Sequence, residues 1–316
     1  MNESYDVIVI GGGAAGLSGA VALARSRRAV LVVDAGEPRN RPAGHVHNFL
    51  TRDGTPPAEL YAAGRAEVTR YGGHIEDGKV TSLSRDGELF QASVNGREVT
   101  ARRLLVATGL RDQLPDVPGL AQRWGIDVLH CPYCHGWEVR DKHVGILATG
   151  PGAVHQALLF RQLTPHVTVL RHTAAPLAAE QAEQLSALGI PVIEGLVAEV
   201  TASGGHLTGV RLADGAGVPL EALVVAPTFV ASADLLEPLG LAPVEVTLGG
   251  QVIATRIEAD HTGATSVPGV YVAGNVTDPQ AQVITSAAAG LMAGAAINMD
   301  LVAEDARRAV SIRARA

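Results

Sequence analysis

Aromatic residues are scarce: four Phe, two Trp and five Tyr stand among 316 residues. So few ring faces rule against a base-stacking platform for single-stranded nucleic acid. Basic charge is also short. Lys and Arg number 25 against 32 Asp and Glu, a formal net charge of −7, and no dense basic block occurs. A nucleic-acid partner is not expected. Only two cysteines are present, Cys131 and Cys134. They cannot staple a chain of this length as a secreted scaffold, and their close spacing points to thiol chemistry instead. Long apolar runs are missing too. The chain starts Met1-Asn2-Glu3-Ser4 and its first apolar run is only Val7 to Ile10, unlike a signal peptide. The Ala- and Gly-rich stretch from Ala281 to Leu301 is interrupted by Thr285, Ser286, Asn298 and Asp300, so no membrane span is expected. A cytoplasmic protein follows as the default.

Glycine is plentiful, at 36 residues, against an average near 7 %. It falls in short bursts beside apolar runs, which points to tight turns and phosphate loops. Tyr5 to Ile10 reads as a buried parallel strand. Gly11-Gly12-Gly13-Ala14-Ala15-Gly16 follows, then a helix to Arg25, then a strand from Ala29 to Val33 ending at Asp34. The plan recurs with a strand from His143 to Ala148, a turn at Gly150-Pro151-Gly152, a helix from Ala153 to Leu163 and a strand from Val167 to Leu170. Asp86-Gly87 and Asn95-Gly96 are hairpin signals. Crossovers are expected near residues 111 to 119 and near Leu241 to Gly250. The fold class is therefore α/β, with two Rossmann-like dinucleotide-binding domains (three-layer ββα), the second inserted into the first. The expected division is 1–114 and 244–316 for the first domain and 115–243 for the insert.

Gly11, Gly13 and Gly16 fit G-x-G-x-x-G, following a strand and opening a helix. The glycines permit the tight turn, the approach of a pyrophosphate and close helix–strand packing. Asp34 is placed to accept from ribose hydroxyls and repels a 2′-phosphate, so FAD or NAD fits better than NADP. The second loop is degenerate. Gly150 and Gly152 are present, but His155 stands where a small residue would pack. Arg171 and His172 follow the next strand, where they could face a 2′-phosphate and favour NADPH. The alternative is a scaffold that binds its nucleotide poorly.

His130-Cys131-Pro132-Tyr133-Cys134-His135 is the sharpest local signal. Two thiols at this spacing can close a small disulfide, and a low-pKa thiolate is the attacking group in exchange. His135 is suited to move protons to and from a thiolate, and Glu138 is a second titratable group nearby. Zinc would want four ligands, and no second cysteine pair exists.

Together these features resemble the low-molecular-weight thioredoxin reductase family of flavoproteins, over nearly the whole chain. Ala107-Thr108-Gly109 matches the point where the chain leaves the FAD domain, and Gly269-Val270-Tyr271-Val272-Ala273-Gly274 leads to Asn275. The resemblance implies that FAD is held by Gly11, Gly13, Ala14, Ala15, Gly16, Asp34, Asn48, Val80, Thr108, Gly109, Gly274, Asn275, Gln282 and Val283. Gly150, Gly152 and Arg171 are the candidate NAD(P)H contacts. Cys131 and Cys134 correspond to the redox pair, the first attacking an external disulfide and the second facing the flavin. No metal is expected. Partners implied are a thiol or disulfide substrate, protein or small molecule, and a second copy in a homodimer.

Three departures stand out. His135 replaces an Asp proton donor, Asn275 replaces an Asp, and the second domain lacks the family's His-Arg-Arg cluster. The motif Cys131-Pro-Tyr-Cys134-His-Gly-Trp-Glu138 looks like a branch that oxidises small dithiols, passing electrons to oxygen without NADPH. The leading expectation is an FAD-dependent disulfide oxidoreductase of thioredoxin reductase type, with that dithiol oxidase as alternative. From another class, a flavin-bound redox sensor is the competing reading.

Overall fold

The fold is that of a computed structural model, which describes residues 3–315. Met1 and Asn2, which open the segment read above, lie outside the described residues. Strands β1 (Glu3–Ile10) and β2 (Val30–Asp34) flank helix α1 (Ala14–Arg25), and helix α2 (Pro57–Arg70) leads to β3 (His74–Asp77). A meander of β4 (Val80–Asp86), β5 (Leu89–Val94) and β6 (Arg97–Val106) follows. The next strands are β7 (Leu110–Gln113) and β8 (Val128–Leu129), then the short helix α3 (Pro132–His135). The second βαβ unit is β9 (Val144–Leu147), α4 (Ala153–Phe160) and β10 (Val167–Leu170), continued by α5 (Ala179–Ala187) and β11 (Val192–Ile193). Then come β12 (Val197–Ser203), β13 (His206–Leu212), β14 (Gly217–Pro219), β15 (Ala222–Val225), β16 (Thr228–Ala231), β17 (Val244–Leu248), β18 (Gln251–Arg256), β19 (Val270–Val272) and helix α6 (Val283–Arg315).

Two sheets carry the two nucleotide-type units. The first runs β3-β2-β1-β6-β5-β4, with β19 parallel to β6; the second runs β11-β10-β9-β15-β8. Their central strands, Val7 to Ile10 and Val144 to Leu147, are buried on both faces. That explains continuous apolar runs instead of alternation. In β5 burial alternates residue by residue, as expected of a half-covered antiparallel strand. The β5–β6 turn uses Asn95 and Gly96, both at positive φ (49° and 81°), the conformation a type I′ turn requires.

The crossing between units differs from expectation in one place. β7 pairs antiparallel with β16 at Thr228–Ala231, ahead of the expected return near Leu241. The segment Leu241 to Gly250 instead leads into the β17–β18 hairpin, which joins β16 and β7 in a four-stranded sheet. Thr228 to Ala231 is too short and too lightly patterned to be told from the preceding β15 by sequence.

Helix α6 is long and apolar enough, by length and composition, to cross a membrane, which its interruptions had argued against. In this fold one of its faces packs on α1 through Gly290, Ala293, Gly294 and Ile297. Its later turns are tied to the first sheet by ion pairs. Arg102 bonds Asp6, Glu304 and Asp305, and Arg103 bonds Asp300 and Glu304. Burial pushes the Glu304 carboxyl up, but the Arg103 and Arg102 guanidiniums outweigh it and hold the carboxyl below its usual range. That contribution to stability is present above the ordinary carboxylate range. It is lost as pH falls through the lowered value.

Candidate functional site

The first glycine loop is built by close approach. A Cβ at Gly16 would lie 1.9 Å from the Gly11 carbonyl oxygen, whereas one at Gly13 would meet nothing within 4 Å. Gly16 therefore lets the helix start fold back on the strand, and Gly13 borders open space at the N-terminus of α1. This is the arrangement a pyrophosphate needs. Asp34 Oδ1 accepts from the Gly12 and Gly36 N–H groups, each at 3.2 Å, and Oδ2 accepts from Arg65 at 3.0 Å. A carboxylate has about four acceptor positions, so one remains for a ribose hydroxyl. Ala15 is buried and Ala14 half-buried beside this loop, and Gly274 packs against Ala15, where a Cβ would come within 2.9 Å. These residues fit FAD.

Other residues expected at the cofactor are committed elsewhere. The Val80 side chain is buried in the core, which leaves only its backbone for a ligand. Thr108 Oγ1 donates to the Ser232 carbonyl at 2.6 Å, tying the end of β6 to the end of β16. Gly109 has φ 71° and its carbonyl accepts from the Ser232 N–H. Asn275 Nδ2 lies within donating distance of the carbonyls of Asp278, Pro279 and Ala281, at 3.0, 3.4 and 2.9 Å. A carboxylate there would face three carbonyl oxygens, which is a physical reason for Asn instead of the family's Asp. Gln282 and Val283, at the start of α6, are half-buried.

The thiol segment forms the second half of the site. Cys131 precedes α3, and Pro132 at its first position suits the helix start. Both cysteines are reduced and half-buried. The Cys134 thiol donates to Cys131, and with the backbone N–H groups of Cys134 and Tyr133 this lowers the Cys131 pKa to about 7 against the opposing effect of burial. Its donated hydrogen bond and its burial push the Cys134 thiol up. Burial holds the His135 imidazole below its usual value, and its Nε2 is buried with no hydrogen-bond partner. His135 is thus a neutral ring with an uncommitted nitrogen, in the chain position next to Cys134. His130 serves the scaffold: its Nδ1 lies 3.0 Å from the Val225 carbonyl and burial depresses its pKa.

Long-range contacts complete the segment. Glu138 Oε1 lies 3.3 Å from His47 Nε2, and His47 Nδ1 lies 3.4 Å from Asp53. Asn48, expected at the flavin, donates its side-chain amide to the Tyr133 carbonyl at 2.6 Å and docks its loop on the thiol turn. Leu50, Tyr133 and Trp137 are exposed along that turn and the docked loop. Arg39, unsuspected from sequence, bonds both oxygens of Asp112 at 2.8 and 2.6 Å. It covers the Phe229 ring at 5.0 Å and reaches Asn275 at 3.5 Å. Phe229 in turn meets His130 edge-on at 5.1 Å. Arg39 therefore links the Asn275 turn to the thiol segment, across separations that no local spacing encodes.

The second glycine loop is closely packed on one side. A Cβ at Gly150 would come within 2.5 Å of the Gln251 side chain, and one at Gly249 within 3.2 Å of Pro151. The β17–β18 hairpin thus covers part of the loop, while Gly152 borders open space. His155 is exposed. Arg171 is ion-paired with Glu194 and donates to the Ala174 carbonyl. His172 Nδ1 accepts from the Val197 N–H at 3.0 Å. Arg171 and His172, expected at a 2′-phosphate, are thus both engaged by neighbouring groups.

Comparison with known proteins agrees with this geometry. A family model described as pyridine nucleotide-disulphide oxidoreductase matches residues 5–294. The chain is 32 % identical to thioredoxin reductase sirT of Leptosphaeria maculans, covering 95 % of both. It is 33 % identical to thioredoxin reductase tcpT of Claviceps purpurea, again covering 95 % of both. Among solved structures, HlmI superposes with a TM-score of 0.90 at 45 % identity, covering 99 % of this chain and 97 % of that one. An oxidoreductase from Agrobacterium tumefaciens superposes with a TM-score of 0.87 at 36 % identity, covering 96 % and 99 %.

Proposed function

This chain belongs to the pyridine nucleotide-disulphide oxidoreductase family, and from that premise we propose roles for its residues in an FAD-dependent disulfide oxidoreductase of thioredoxin reductase type. The observation that carries the reading is the split thiol pair, with Cys131 ionising near neutrality while Cys134 stays protonated. Cys131 thiolate attacks one sulfur of an external disulfide; that S–S bond breaks and one thiolate leaves. His135 Nε2 takes the Cys134 proton, and Cys134 attacks Cys131 Sγ. The second thiolate leaves, and a Cys131–Cys134 disulfide forms. The substrate gains two electrons and the pair loses two. Glu138 and His47 hold the charge balance beside His135. FAD, when bound by the Gly11–Gly16 loop and Asp34, supplies the two-electron exchange that restores the dithiol. The exposed side chains of Leu50, Tyr133 and Trp137 form the surface that receives the substrate.

The test follows an aromatic disulfide that releases a coloured thiol. The reduced wild-type protein releases one equivalent quickly and a second as Cys134 closes the ring. Replacing His135 with Ala should slow only the second release, by about a hundredfold. In the wild type that phase should slow as pH drops through the lowered His135 value, because a protonated ring cannot take the proton. Equal second phases in both proteins, with the same pH profile, would remove His135 from the mechanism.

A second reading runs the thiol half in reverse, with a dithiol substrate as electron source and oxygen as the final acceptor. One observation favours it: the second glycine loop is partly covered by its own hairpin. Anaerobic addition of NADPH, NADH or dithiothreitol in separate cuvettes decides the direction. Flavin bleaching by a pyridine nucleotide supports the reductase; bleaching by the dithiol alone, reversed by air, supports the oxidase.

A homodimer is the assembly we propose. Helix α6 leaves Leu291, Met292, Met299 and Val302 exposed in a run at helical spacing, and a second copy would cover it. Sedimentation should give twice the 32.6 kDa chain mass, and Met299→Asp should shift the protein toward monomer. A wild-type monomer at micromolar concentration would end this proposal.

A further inference from the structure

We propose that Glu194 sets the nucleotide preference of the second Rossmann unit, selecting against a 2′-phosphate by occupying Arg171. The inference rests on the disulfide oxidoreductase reading only in taking this unit to be of nucleotide-binding descent. In such a unit the residue at the end of the second strand meets the adenosine ribose. Asp34 holds that place in the first unit. In the second, Leu170 is in register with Ile193, and the Arg171 N–H donates to the Ile193 carbonyl at 2.9 Å. One position on, Arg171 and Glu194 stand side by side across parallel strands.

The consequence is electrostatic. Arg171 Nε donates to Glu194 and Nη1 donates to the Ala174 carbonyl at 3.2 Å. The cation that would meet a phosphate dianion is thus neutralised and partly used. A 2′-phosphate arriving there must displace Glu194 and then sit beside its charge. A bare ribose has no such conflict, since the more exposed carboxylate of Glu194 can accept from its hydroxyls. His172 offers no replacement cation. Its Nδ1 is an acceptor for the Val197 N–H, and burial depresses its pKa. Arg171 and Glu194 line an open hollow of about 570 Å³ together with Leu177, Leu185, Ile190 and Val192.

Titration calorimetry of the flavin-loaded protein with NAD+ and NADP+ tests this without turnover. The wild type should bind NADP+ no better than NAD+. Glu194→Gln should raise NADP+ affinity about tenfold, the effect of one freed charge-assisted contact, and leave NAD+ unimproved. The double variant Arg171→Ala, Glu194→Gln should lose the gain. The β17–β18 hairpin bears on the pyrophosphate common to both nucleotides, so their ratio isolates the 2′-phosphate. A wild type that prefers NADP+, an unchanged ratio in Glu194→Gln, or no NADP+ binding by that variant would overturn the proposal. Loss of thiol–disulfide exchange in the wild type would instead sink the functional reading and leave this titration standing.

Discussion

Serine in place of Cys131 should abolish release of the first coloured thiol, slowing it by about a thousandfold or more. The attacking species is a thiolate. With its pKa lowered to about 7, Cys131 carries a thiolate fraction at neutral pH that an ordinary cysteine lacks. A serine hydroxyl in the same cradle stays protonated and is a poor nucleophile toward sulfur. The neighbouring variant separates the roles. Cys134→Ser should still release the first equivalent but never the second, because nothing remains to resolve the mixed disulfide. That adduct should persist and appear in the intact mass as protein plus one substrate half. The Cys134→Ser protein also loses the thiol that donates to Cys131. Its Cys131 should therefore titrate higher, and its first phase at pH 7 should be several-fold slower. Rapid release by Cys131→Ser together with none by Cys134→Ser would reverse the two assignments.

The second large effect is predicted far from the sulfur atoms. Gly290→Val should destabilise the protein by about 3 kcal/mol, the upper end of ordinary overpacking. A Cβ at Gly290 would lie 1.9 Å from the Ala15 carbonyl oxygen, which is backbone and cannot turn aside. The facing contact is also tight: a Cβ at Gly19 would lie 2.9 Å from the Gly290 carbonyl oxygen. Helix α6 would have to lift from α1. Because α1 begins at the first glycine loop, and Gly274 packs on Ala15 there, the displacement should also weaken flavin retention. Thermal unfolding and the ratio of flavin to protein absorbance check both parts. A variant with wild-type melting temperature and full flavin content would refute the packing argument. Glycine therefore also serves helix contact, besides the tight turns and phosphate loops read from sequence.

The legible parts were those in which a local pattern requires a particular backbone. The strand–glycine–helix–strand units around Gly11 and Gly150 were readable because the apolar run, the glycine spacing and the helix start all fall within about thirty residues. The Asn95-Gly96 turn was readable because its signal is equally local. The thiol pair was readable from its spacing. The resemblance located the segment of Asn48, but the hydrogen bond from its side chain to the Tyr133 carbonyl came only from the structure. The return strand β16 was missed because four residues beside an equally short strand carry no periodicity.

The sequence by itself determined that this chain folds into two nucleotide-type units, that the first keeps its glycines and its acid, and that two thiols stand three positions apart beside His135. Those are short-range facts, fixed by steric and covalent limits within one turn or one strand. Only the tertiary structure decided that Arg171 meets Glu194, 23 residues away, that Asn48 meets Tyr133, 85 away, and that Arg39 meets Asn275, 236 away. Charge and hydrogen-bonding capacity are written in each residue, but their partner is set by the packing of sheets and helices. The chemistry of a site depends on that partner.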